Sequence, residues 1–224
     1  MTKKIPRTEL AAMIDHTLLK PGATRNQILT VCAEAKQYTF ASVCVNSCWV
    51  DVCSTFLKES AIAVCTVVGF PLGAAETQAK VCEAETAVKN GASEIDMVLN
   101  IGKFLSDTQE DTEYVQNDIQ EVVEAVSPHM VKVILETGLL TNDQIVKACI
   151  YVKKAGAHFV KTSTGFGPPF TLEHVELMRS TVGKTMGVKA AGGIKSYQDA
   201  VKVIEAGANR IGASAGVTIV EGAP

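Results

Sequence analysis

Three lysines stand inside otherwise apolar runs: Lys132 in Val131-Lys132-Val133-Ile134-Leu135-Glu136, Lys161 in Phe159-Val160-Lys161-Thr162-Ser163, and Lys189 in Gly187-Val188-Lys189-Ala190-Ala191. A lysine is rarely buried without a partner or a task. One such residue reads most simply as half of an ion pair with a carboxylate such as Glu136, or as a side chain snorkelling to a rim. Three on successive strands read differently, because like charges repel. At about 5 Å and an effective dielectric of about 20, Lys161 and Lys189 repel by roughly 3 kcal/mol. That is on the order of two pKa units, and burial acts in the same direction. A lysine brought down towards about 7 or 8 exposes a free amine at neutral pH, which imine formation with a carbonyl requires. Asp96, in Glu94-Ile95-Asp96-Met97-Val98-Leu99-Asn100, is the matching acid–base candidate. It reads equally as a salt-bridge partner of a neighbouring lysine. The two roles are compatible, and such a pair partly offsets the lysine's depression.

The elements that must position these groups repeat along the chain. Strands are predicted near Met13–His16, Ala41–Asn46, Ala63–Gly69, Glu94–Leu99, Val131–Glu136, His158–Thr162, Gly187–Ala190 and Arg210–Ala213. Their starts lie roughly 20 to 35 residues apart, the length of a βα unit. Runs such as Val64-Cys65-Thr66-Val67-Val68 suit strands covered on both faces, as in a parallel sheet. Thr141 with Gln144, and Ser196 with Asp199, mark helix starts. Asn90-Gly91-Ala92, Ala155-Gly156-Ala157 and Ala206-Gly207-Ala208 mark stops, at every second unit. The expected fold is a single (β/α)₈ TIM barrel spanning residues 1–224, with a doubly wound open sheet as the alternative.

Chemistry in such a barrel sits where strands end. Ala191-Gly192-Gly193-Ile194-Lys195-Ser196 follows the seventh strand and Gly212-Ala213-Ser214-Ala215-Gly216 the eighth. Glycines let backbone N–H groups approach an anion, and these two loops are the usual phosphate position in the fold. Thr162-Ser163-Thr164-Gly165 adds further donors.

Other chemistry finds less support. His16, His129, His158 and His174 do not fall at metal-ligand spacing, so no metal is expected. Neither a dinucleotide fingerprint nor a P-loop follows a strand, so no cofactor is expected. Seven cysteines, odd in number and scattered, read as reduced, mostly buried thiols, with Cys44 and Cys65 in strands and Cys149 on a helix's core face. A net charge of −3 without a basic patch argues against nucleic acid. Met1 to Leu10 carries Lys3, Lys4 and Arg7 but no apolar run after them, and no stretch approaches a membrane span. A cytoplasmic location follows as the expectation.

Taken together, these segments resemble the deoxyribose-phosphate aldolase family of class I aldolases. The resemblance covers nearly the whole chain. It runs through Ile14-Asp15-His16-Thr17-Leu18-Leu19-Lys20-Pro21, Ala41-Ser42-Val43-Cys44-Val45-Asn46, Val68-Gly69-Phe70-Pro71-Leu72-Gly73 and Glu94-Ile95-Asp96-Met97-Val98-Leu99-Asn100-Ile101-Gly102. It continues through Lys132-Val133-Ile134-Leu135-Glu136-Thr137, Val160-Lys161-Thr162-Ser163-Thr164-Gly165-Phe166 and Val188-Lys189-Ala190-Ala191-Gly192-Gly193.

The resemblance implies reversible cleavage of 2-deoxy-D-ribose 5-phosphate to acetaldehyde and D-glyceraldehyde 3-phosphate. It makes Lys161 the Schiff-base lysine, Lys189 the second lysine that tunes it or shuttles protons, and Asp96 the proton relay. Gly165, Gly192, Gly193 and Ser214 match phosphate-side positions. Asp15, Thr17 and Lys132 match supporting polar positions, and Cys44 a pocket-lining cysteine. Some members have a second serine where this chain has Ala215, which implies a modestly weaker phosphate grip. Some also carry a tyrosine-bearing tail, where this sequence reads Glu221-Gly222-Ala223-Pro224. Family members are often dimers or tetramers, so a homo-oligomer is expected. Two rivals share features of the pattern: another phosphate-binding barrel enzyme (an isomerase or a metal-dependent aldolase), and a barrel that binds ligand without catalysis.

Overall fold

Helix α1 (Arg7–Ala11) leads into β1 (Ile14–Leu18), and alternating elements follow. They are α2 (Arg25–Tyr38), β2 (Ser42–Val45), α3 (Val50–Leu57), β3 (Ala63–Val68), α4 (Thr77–Lys89), β4 (Glu94–Val98), α5 (Ile101–Ser106) and α6 (Gln109–Ala125). The second half adds β5 (Met130–Ile134), α7 (Asn142–Lys154), β6 (Phe159–Lys161), α8 (Leu172–Val182), β7 (Gly187–Ala191), α9 (Tyr197–Glu205), β8 (Arg210–Ala213) and α10 (Gly216–Glu221). This computed structural model describes residues 4–224. Met1–Lys3, with the Lys3 of the basic N-terminal stretch, lie outside the described residues.

The strands pair in parallel in the order β1 to β8 and close into a barrel, β1 returning to β8 through Ile14↔Ile211 and Asp15↔Gly212. Closure leaves no strand edge exposed. The open-sheet alternative is thereby excluded. The strands fall within two residues of the positions read from the sequence. The largest correction is at β5, which stops at Ile134 because Glu136 turns into a left-handed conformation at φ 45°. After β4 a left-handed Asp107 divides the helical connection into α5 and α6.

Alternation along the strands sorts the side chains. Outward residues such as Val43, Ile95, Val131, Val133, Val160, Val188 and Ile211 are fully enclosed under the helices, in one continuous apolar layer. Each such residue contributes about 1.5–3 kcal/mol of transfer free energy. The helices meet that layer with apolar stripes: Ile145, Ala148, Cys149 and Val152 on α7, and Ala200 and Val203 on α9. Capping boxes at Thr141–Gln144 and Ser196–Asp199 start those two helices, and Gly91, Gly156 and Gly207 take positive φ just past the ends of α4, α7 and α9.

Inward residues are strongly polar. Asp15, Ser42, Glu94, Asp96, Lys132, Lys161 and Lys189 are all buried there. This is the period-two consequence of strands whose other face is apolar throughout.

Candidate active site

Asp96 is the hub of the interior. Its Oδ2 accepts from Lys161 Nζ and from Lys189 Nζ, each at 2.7 Å. Its Oδ1 accepts from Lys132 Nζ at 2.9 Å and from Cys65 Sγ at 3.2 Å. The Lys161 and Lys189 side chains therefore face each other across one oxygen. Strand register dictates this: Asp96 lies opposite Lys132 between β4 and β5, and Lys161 opposite Lys189 between β6 and β7.

A second tier completes the network. Lys189 Nζ also pairs with Asp15 Oδ2, and Lys132 Nζ with Glu94 Oε2 at 2.6 Å. Arg210 bridges Asp15 Oδ1 at 2.9 Å and Glu94 Oε1 at 3.1 Å, while Ser42 donates to Asp15 at 2.7 Å. Gly212 makes room for this tier, since a Cβ there would press on Lys189 Cε at 3.1 Å. Four cations (Lys132, Lys161, Lys189, Arg210) thus share three carboxylates (Asp15, Glu94, Asp96).

These contacts revise the bare lysine–lysine repulsion expected from the sequence, because a carboxylate stands between the two amines. Burial alone would raise Asp96, but Lys132, Lys161 and Lys189 outweigh it and hold the carboxyl well below its usual range. Asp15 likewise drops to about 2, with Lys189, Lys132 and Arg210 overcoming burial. Burial would lower Lys189 and Lys132, yet Asp15 and Asp96 push the first up and Asp96 leads in pushing up the second. Lys189 is therefore a fixed cation. The suggested partner for the lysines, Glu136, is not in this network: its carboxylate meets Thr164 instead. The left-handed turn at its own backbone directs it there.

Above the network a cavity of about 380 Å³ opens at the C-terminal ends of the strands. Lys161 forms part of its wall together with Thr17, Gly165, Gly192, Gly193 and Ser214. Asp96, Lys189, Lys132, Asp15 and Cys44 lie beneath this opening, all fully enclosed. Thr17 donates to the Asp15 carbonyl at 2.7 Å. Gly165, Gly192 and Gly193 all take positive φ, at 87°, 100° and 78°, the backbone freedom that lets N–H groups line a concave wall. Leu19, Cys44, Cys65 and Val67 form a small apolar cluster apart from the main core, with Phe70 against it. The Cys65 hydrogen bond lowers the Cys44 thiol, whereas burial raises that of Cys65.

Sequence reasoning missed several members of this centre. Lys20 and Lys195 line the cavity, and Arg210, Glu94, Ser42 and Cys65 join the network. Glu94 carried a usable signal, being two residues before Asp96 and so on the same face. Two trios, Cys44–Cys65–Asp96 and Asp15–Cys65–Glu94, bring ligand atoms within 4.8 Å of one another. Lysine ammoniums already occupy those carboxylates, so a cation entering either trio must displace one.

An amine on the wall of a barrel mouth, backed by a carboxylate and a second amine, equips this molecule for carbonyl chemistry. Residues 10–222 match the model of the DeoC/LacD family aldolases, and the chain belongs to that family of carbon–carbon lyases. It is 59% identical over 216 residues to the deoxyribose-phosphate aldolase of Caldanaerobacter subterraneus subsp. tengcongensis, covering 95% of this chain and 92% of the relative. A solved aldolase, QR15, superposes with a TM-score of 0.90 at 39% identity, covering 95% of this chain and 94% of the other. The tetrameric deoxyribose phosphate aldolase of Aeropyrum pernix gives a TM-score of 0.88 at 35% identity, covering 96% and 91%.

Proposed function

We propose that this chain reversibly cleaves 2-deoxy-D-ribose 5-phosphate to acetaldehyde and D-glyceraldehyde 3-phosphate through an imine on Lys161. The observation that carries the assignment is the single Asp96 oxygen shared by Lys161 and Lys189 beneath an open cavity. Of the two amines, Lys161 lines that cavity and touches one carboxylate, while Lys189 is enclosed and touches two. Four cations against three carboxylates leave one positive charge without a counter-charge. Releasing the Lys161 proton neutralises the centre, and a neutral amine is the form that attacks.

The steps then follow from position. The Lys161 nitrogen adds to C1 of the open-chain aldehyde, and the carbinolamine loses water to give an iminium. The iminium draws the C2–C3 electron pair as the C3 hydroxyl surrenders its proton. D-glyceraldehyde 3-phosphate leaves, and an enamine remains on Lys161. Protonation at carbon and addition of water release acetaldehyde and restore the amine. Asp96, through a water, takes and returns the proton, and cationic Lys132 and Lys189 favour its ionised form. Backbone N–H groups around Gly165, Gly192 and Gly193, with Ser214, hold the phosphate. Lys20 and Lys195 add positive charge on the same wall. Anchoring there converts binding into orientation of C1 over Lys161. Thr17, Asp15, Lys132 and Cys44 support the centre from around and below. The chain works as a single barrel domain in the cytoplasm and assembles as a dimer or tetramer. Supporting this are a relative that is itself tetrameric and the finding that no described helix is long and apolar enough to cross a membrane.

Borohydride reduction in the presence of acetaldehyde, followed by peptide mass spectrometry, tests the reading. A stable ethyl group should appear on Lys161. Its absence, or its confinement to a different lysine, would remove Lys161 from the role.

A further inference from the structure

Glu136 is a buried carboxylate, 3% exposed, that stands one residue past Leu135 at the mouth end of β5. Its backbone is left-handed, at φ 45° and ψ 57°, a conformation that a residue with a Cβ resists. What it gains there is a grip on the neighbouring loop. Oε1 accepts from the Thr164 backbone N–H at 3.4 Å, and Oε2 from the Thr164 hydroxyl. The same hydroxyl oxygen accepts from the Phe166 N–H at 3.0 Å. The residues on either side of Gly165 are thereby pinned, with Gly165 itself at φ 87° between them.

The fit between the two loops is close enough to require glycine twice. A Cβ on Gly167 would lie 2.8 Å from Glu136 Cδ, and one on Gly138 would lie 2.6 Å from the Pro168 carbonyl oxygen. Backbone pairing from the Thr137 N–H to the Thr162 carbonyl, at 2.9 Å, joins the same segments. A carboxylate suits this position because both its oxygens only accept, and both face donors.

We infer that Glu136 is a positioning residue that sets the Gly165 backbone for the phosphate end of the substrate. The inference rests on the reading of the cavity given under Proposed function. Glu136 touches neither the reacting carbon nor Lys161. It acts through Thr164, and it matters only to a substrate that uses the Gly165 wall.

Steady-state kinetics on two substrates test this: 2-deoxy-D-ribose 5-phosphate and 2-deoxy-D-ribose, which lacks the phosphate. Glu136→Ala should raise KM for the phosphate ester by about tenfold or more while leaving kcat/KM for the free sugar within about twofold. Glu136→Gln keeps one acceptor but turns an amide N–H₂ towards a donor, so a smaller shift of the same kind is expected. Thr164→Val should reproduce the split, and Thr164→Ser, which retains the hydroxyl, should keep wild-type kinetics on both substrates. Turnover of the free sugar reports a folded barrel, and Glu136→Gln carries the test if the alanine variant does not fold. Equal losses on both substrates, or none on either, would overturn the assignment. A wild-type protein that turns over neither sugar would instead count against the proposed reaction.

Discussion

Lys80 and Lys189 are both wholly enclosed, one between helices and one inside the barrel. Lys80 on α4 has a carboxylate to itself: its Nζ lies 2.5 Å from Asp118 Oδ2 on α6 and 3.2 Å from the Val98 carbonyl. Thr77 donates to the other Asp118 oxygen at 2.9 Å. Lys189 shares both of its carboxylates, Asp96 with Lys161 and Lys132, and Asp15 with Arg210. The helix pair is balanced one to one, and every polar atom has a use. The barrel centre holds one cation too many. A balanced pair leaves no charge uncompensated, whereas the shared set leaves one. The ratio of partners, rather than burial itself, separates Lys80 from the lysines proposed for the chemistry.

That contrast can be broken by experiment, and the largest effect is expected in the barrel. Lys189→Met leaves three cations facing three carboxylates, with no uncompensated charge, and removes one of the three cations that hold Asp96 ionised. Turnover should fall by about 10³-fold, with the circular dichroism spectrum unchanged. Activity within about twofold of wild type would show that sharing is not the source of reactivity. The helix pair should answer in the opposite way. Asp118→Ala strands a buried ammonium and should cost about 3–5 kcal/mol of stability, a fall of roughly 10 °C in Tm, with kcat of the folded protein near wild type. The double replacement Lys80→Met/Asp118→Leu should recover most of that loss. A collapse of kcat in Asp118→Ala without a thermal shift would erase the distinction.

The smallest effect is the pH dependence of stability. Asp15 and Asp96 have folded values below the ordinary 3.8, so their contribution is complete above about pH 4 and is lost as pH falls towards 2. Asp15 alone accounts for roughly 2 kcal/mol of this. Lys132 and Lys189 are raised above 10.5, so theirs persists below that pH and is lost only as pH rises beyond it. Thermal melts between pH 2 and 5 should show the acid decline, and Asp15→Asn should flatten it. Identical acid profiles for the two proteins would refute the linkage.

Much of this was legible from the chain alone. The lysines and Asp96 announced themselves because a charge inside an apolar run violates the local pattern, and glycine stops and capping residues fixed the rhythm of the units. The partnerships were less legible, because they depend on closure. Nothing in the run around Asp15 points to Lys189 or Arg210; the β1–β8 pairing brings them together from opposite ends of the sequence. Arg210 opens a strand, where a polar residue is unremarked. Glu136 misled for a different reason: its period-two position predicts an inward side chain, but a single backbone turn sends it to Thr164.

The seam between the first and eighth strands also bears on how the chain is made. Until β8 emerges from the ribosome, Arg210 is missing from Asp15 and Glu94, and the pocket of opposed charges has no wall on that side. A nascent fragment ending before it must leave the inner ring open to water. The charged centre is therefore completed only when the eighth strand closes the barrel, and a product terminated before it lacks Arg210 and Ser214.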